Sequence, residues 1–158
     1  MSVKTFQTAG NWNTAGNWSP VGAPLAGDDV VIAADCVLDV ATPELASLTV
    51  NLGMQLDLDG YDLTTSGTID VNGTLLGGEG TITITGNGDF DYKDGTFTCE
   101  TSTVDLQGTG KWRLQDVSSA DPVYNLKCAY SGKTTSAVKL NTGTADVKRE
   151  LRPVTPPA

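Results

Sequence analysis

Two carboxylate runs stand closest to chemistry. Asp57-Leu58-Asp59-Gly60-Tyr61-Asp62 and Asp89-Phe90-Asp91-Tyr92-Lys93-Asp94 each set three acids beside a glycine turn, Gly60 and Gly95. A pair of carboxylates can divide the work of cleaving a glycoside, one as acid and one as base or nucleophile. Asp57, Asp59, Asp70, Asp89 and Asp91 are the candidates. Closely spaced acids around a tight turn can also hold Ca²⁺. Neither run has the long loop closed by Glu, nor the calcium-binding nonapeptide repeat. The competing account is plainer. Each acid falls on the polar step of an alternating strand, where a solvated outer face needs charge. The expectation is therefore a non-enzyme with no catalytic residue, no resident cofactor and no metal site. Ca²⁺ is the one ion these acids would suit.

The rest of the composition points the same way. The 158 residues include no histidine, so the commonest general base is missing and triads that need one are excluded. A lyase would want Arg or Lys beside its acids, and residues 1–110 carry only Lys4 and Lys93. The net charge of −9 argues against nucleic acid as a partner. No apolar run is long enough to cross a membrane, and "MSVKTFQTAG" does not read as a secretion signal. The charge is uneven. Residues 1–110 hold two Lys against fifteen Asp and Glu, whereas residues 111–158 hold eight Lys and Arg against four acids. Cys36, Cys99 and Cys128 form no close pair and are expected as small buried thiols, with one disulfide plus a free thiol as the alternative.

The elements that must position these residues are short strands. "TITIT" (81–85) is apolar at every second position, as are "QLDLDG", "TIDVNG", "DFDYKDG", "TVDLQGTG" and "KWRLQD". That is the period of a half-buried strand, and no helical period competes. Corners recur at Asn72-Gly73, Asn87-Gly88 and Asp94-Gly95, pairs that supply the positive φ of tight turns. Two all-β architectures fit. One is a parallel β-helix, or β-solenoid; the other is an antiparallel β-sandwich or jelly roll, favoured by the hairpin-like Asn-Gly pairs. Strands of four or five residues, loosely repeated Gly-Thr openings and outward Thr, Asn and Asp favour the solenoid. Three strands and their corners take roughly 20 residues, a repeat-architecture period.

One parsing gives five coils. They are "VVI", "CVLDV", "SLTV"; then "QLDL", "LTTS", "TIDV"; then "TLL", "TITIT", "DFDY"; then "TFTCE", "TVDL", "KWRL"; and finally "YNLKCAY", "AVKL", "ADVKREL". The expected layout is a cap over residues 1–27, a solenoid over 28–147 and a basic, Pro-rich arm over 148–158. In the cap, Trp12 and Trp18 lie six residues apart among Asn and Gly. They suit either a plug for the open end of the stack or a sugar-stacking platform. Trp112, on "KWRL", suits core or a subunit contact. In the arm, Lys148, Arg149 and Arg152 precede Pro153, Pro156 and Pro157. Prolines hold such a segment extended.

The stretch "NWNTAGNWSPVGAPLAGDDVVIAADCVLDV" followed by "LASLTVNLGMQLDLDGYDLTTSGTIDVNGTL" resembles the opening of right-handed parallel β-helix proteins of phage tails and virions and of bacterial surface adhesins. The resemblance covers roughly residues 10–110, and "VYNLKCAYSGKTTSAVKL" is similar to a later coil. Taken with the absent secretion signal, the bare chemistry, the uneven charge and the basic arm, it implies a structural virion protein: a capsid decoration or cement protein, or a tail-fibre component. The expected assembly is a homotrimer held to itself and to the major capsid or other virion proteins. Lys148, Arg149, Arg152, Pro153 and Trp112 would be its contact residues. The alternative is a bacterial surface adhesin or carbohydrate-binding module that meets a host glycan through Trp12, Trp18 and Tyr61. A polysaccharide-cleaving enzyme is the third reading.

Overall fold

The computed structural model describes residues 2–107 and the strand backbones at Trp112–Arg113 and Asn125–Cys128. The chain opens with β1 (Val3–Phe6), β2 (Gly10–Asn11), a 3-10 turn (Ala15–Asn17) and β3 (Trp18–Ser19). β4 (Asp29–Ile32) and β5 (Cys36–Val37) follow. Then come three complete sets: β6 (Ser47–Val50), β7 (Gln55–Asp57), β8 (Leu63–Thr65); β9 (Ile69–Val71), β10 (Thr74–Leu76), β11 (Thr81–Ile84); and β12 (Phe90–Asp91), β13 (Thr96–Thr98), β14 (Thr103–Leu106). β15 (Trp112–Arg113) and β16 (Asn125–Cys128) are the last described strands.

From β6 to β15, every third strand stacks on its predecessor. One sheet runs β15-β12-β9-β6-β4-β1-β3, a second β13-β10-β7-β5-β2, and a third β16-β14-β11-β8. All pairings are parallel except β1 with β3. The molecule is thus a parallel β-solenoid of about four turns. The antiparallel sandwich is excluded by this pairing. From Leu48 to Ile69 to Phe90 to Trp112, one turn takes 21 or 22 residues.

Alternation explains the core. In β4, β6 and β11 every second residue is buried, and parallel register stacks like on like. Val30, Leu48, Ile69 and Phe90 form one inward column. Cys36, Leu56, Leu75 and Phe97 form a second, and Leu63, Ile82 and Val104 a third. Burying each such aliphatic side chain stabilises by roughly 1.5–3 kcal/mol. The corners let coils close up: at Gly73 a Cβ would overlap the Met54 and Asn51 carbonyls, so only glycine fits.

Two groupings differ from the sequence parsing. "VVI" and "SLTV" were expected on different sides of one coil, but β4 and β6 are stacked neighbours in the same sheet. The reason lies between them. The third side of that turn makes only a single bridge, Leu45 to Thr65, because Pro43 lacks an N–H for a ladder. Likewise "YNLKCAY" was expected to open a coil on the side of "TFTCE", but β16 stacks on β14, the "TVDL" strand. "AVKL" and "ADVKREL" lie outside the described residues.

Candidate functional site

The solenoid's first end is where the sequence placed its tryptophans, and the packing there is dense. β1 is the outermost parallel strand of its sheet, and β3 folds back along its free edge, pairing Thr5 with Ser19 and Phe6 with Trp18. Trp12 and Trp18 are 1% and 2% exposed. Their rings meet edge to face at 4.7 Å, and Phe6 meets Trp18 in the same way at 4.9 Å. The Trp18 indole N–H donates to the Trp12 carbonyl at 2.6 Å, which meets the requirement that a buried indole find an acceptor. Neither ring offers a face on which a sugar could stack. Tyr61 is 40% exposed, at the turn after β7.

Two charged residues fasten the loop that follows. Lys4 donates from Nζ to the carbonyls of Pro20 at 3.1 Å, Val21 at 3.4 Å and Gly22 at 3.1 Å. Asp28 is buried. Its Oδ1 accepts from the Ser2 amide and hydroxyl at 3.0 and 2.7 Å, and its Oδ2 accepts from the Leu25 amide at 3.0 Å. The Leu25 and Ser2 hydrogen bonds hold its carboxyl below the ordinary value, against the opposing effect of burial. With Lys4 and Asp28 both engaged in hydrogen bonds within the chain, apolar side chains are left outside. Val3, Val21 and Leu25 are 56%, 77% and 71% exposed. Sequence reasoning did not single out Lys4 or Asp28. The only available signal was a lone Lys near the start of an acidic stretch.

The acidic runs are drawn apart by the fold. Asp57, Asp59, Glu79 and Glu100 line an open depression of about 430 Å³ with Gly60 and Gly78, at the corner between the second and third sheets. Asp57 Oδ1 accepts from the Asp59 amide at 2.9 Å. Asp62 instead accepts from the Thr81 amide of the next turn at 2.8 Å. Asp35 treats the Gln55 amide the same way at 2.9 Å. Thr42 and Thr68 hydroxyls do so for the amides of Thr64 and Asp89 at 2.9 and 3.2 Å. These side chains satisfy amides at or next to strand starts one turn along, which would otherwise need water. Asp70 and Asp91 lie directly opposite each other in register. Asp70 accepts from Asn72 at 3.1 Å and Asp91 from the Lys93 amide at 3.1 Å. Among the described residues, no group of three or more His, Cys, Asp or Glu side chains is placed to hold a metal ion.

Cys36 and Cys99 are buried and unbridged. Desolvation, then the nearby Asp39 charge, pushes the Cys36 thiol up to about 12. No helix among the described residues is long and apolar enough to cross a membrane. The backbone of Trp112 lies on β15, in register with Phe90; its side chain, and Lys148, Arg149, Arg152 and Pro153, lie outside the described residues, as does the whole 148–158 arm. No protein-family model, curated protein or solved structure matches the chain.

Proposed function

We propose that the protein is a non-enzymatic structural component of a bacteriophage virion, a capsid decoration or cement protein or a tail-fibre component. On this reading it acts by assembling with copies of itself, as a homotrimer, and with the major capsid or other virion proteins. The observation that carries the reading is the end of the solenoid. There Lys4 and Asp28 are spent on internal hydrogen bonds while Val3, Val21 and Leu25 face outward. Charge engaged within the chain beside apolar side chains turned out suits a surface covered by another subunit. The charge split along the chain supports it too, since an acidic body and a basic C-terminal portion can meet across copies. The glycan-binding alternative would have to rest on Tyr61, because Trp12 and Trp18 are enclosed.

Sedimentation equilibrium tests the proposal. A trimer is expected at micromolar protein, and the paired substitution Val21→Asp with Leu25→Asp should release subunits without loss of folded structure, since both side chains are exposed. A wild-type chain that stays monomeric across that range, alone and with virion proteins added, overturns it.

A further inference from the structure

The two Asn-Gly corners are both close-packed on the preceding turn and differ in how the glycine amide is held. At Asn72-Gly73 the Asn72 amide and the Gly73 amide both donate to the Val50 carbonyl, at 2.8 and 3.1 Å. Gly73 itself is buried. At Asn87-Gly88, between β11 and β12, Asn87 is exposed. The flanking amides are held, Thr85 by the Thr65 carbonyl at 2.8 Å and Asp89 by the Thr68 hydroxyl at 3.2 Å. The Gly88 amide between them has no acceptor among the described residues.

This difference matters for one reaction. The backbone nitrogen after an asparagine can attack the asparagine's own side-chain carbonyl carbon, and glycine in that place offers least obstruction. The attack needs the N–H free to lose its proton, so an amide already donating within a packed ladder is protected until the ladder opens. We propose that Asn87 is a site of spontaneous deamidation in the folded protein, and that Asn72 is shielded from it.

The step balances with water alone. The Gly88 nitrogen gives its proton to solvent and bonds to Asn87 Cγ. The Cγ–Nδ2 bond breaks and ammonia leaves, with a proton from solvent, to give a cyclic imide. Water then opens the imide at either carbonyl, leaving aspartate or isoaspartate. Either product makes the chain one unit more negative than its −9. The isoaspartate also routes the backbone through an extra methylene. Gly88 packs so closely on the preceding turn that even a Cβ would overlap Gly67. The longer backbone must therefore displace that corner, so the aged protein should melt at a lower temperature.

The test is an incubation of the full folded chain at mildly alkaline pH, with intact mass read for a gain of one dalton. Trypsin leaves Asn72 and Asn87 together, because no Lys or Arg lies between Lys4 and Lys93, so cleavage at Asp and fragment spectra must assign the site. Asn87 should convert about tenfold or more faster than Asn72 in the folded chain, and the two should converge in denaturant. Asn87→Ser should abolish the early mass gain and Asn72→Ser should not. Equal folded-state rates, faster conversion at Asn72, or an unchanged gain in Asn87→Ser each overturn the proposal. So does an inert Asn87 over a period in which the denatured chain converts.

Discussion

Lys4 stands in register with Val30, at the head of the inward column that continues through Leu48, Ile69 and Phe90. A cation thus occupies the last rung of an apolar ladder. Its methylene stem can extend the column while its ammonium reaches the carbonyls of residues 20–22.

That pairing gives a prediction whose sign is informative. If the column mattered most, Lys4→Met would be neutral or stabilising. With three carbonyls losing their donor, it should instead destabilise by about 1–2 kcal/mol. The shift in urea midpoint reads it.

The tryptophan pair separates packing from hydrogen bonding. Trp18→Ala should cost about 3–5 kcal/mol through the cavity it leaves. Trp18→Phe keeps most of the ring contacts but removes the donor to the Trp12 carbonyl, and should cost about 1–2 kcal/mol. Chemical denaturation of both variants checks the order.

Asp28 should give the fold an acid-sensitive contribution. Its folded carboxyl titrates below the ordinary value of 3.8. The stabilisation is therefore fully present above that value and is lost as pH falls through the lower, folded one. Asp28→Asn should be less stable than wild type at neutral pH, and the gap should close in acid. A gap that persists unchanged in strong acid would contradict this.

Cys36 should resist thiol reagents at neutral pH, because a group titrating near 12 is almost wholly protonated there. Labelling followed by peptide mass should find Cys36 modified only in denaturant. Ready labelling of Cys36 in the folded protein would show the first turn opening.

Removing residues 148–158 should leave the thermal transition nearly unchanged and impair assembly. Loss of the transition would place that segment in the core rather than in a contact arm.

Much of the stack could be read from spacing. Strict alternation in "TITIT" and glycine at corners such as Gly73 are local signals, and each set from β7 to β15 falls on the grouping they imply. What failed was local too. Nothing in "CVLDVATPELASLTV" announces that one side of the turn shrinks to the single bridge at Leu45; Pro43 was the only hint. The partners of the acids were not legible, because carboxylate spacing along a strand says nothing about the amide waiting one turn away. Asp62 serves Thr81, nineteen positions on, a distance no short motif spans. Lys4 was overlooked for the same reason, since its carbonyl partners lie in the loop after β3, sixteen to eighteen positions on.

The Asp35–Gln55 and Asp62–Thr81 hydrogen bonds constrain how such a chain can change in length. An insertion of a few residues inside one turn would slide an acid away from the amide it serves and throw the inward columns out of step. Duplicating or deleting an entire turn would carry acid and amide along together. Growth by whole storeys is the route that the bonding between floors leaves open.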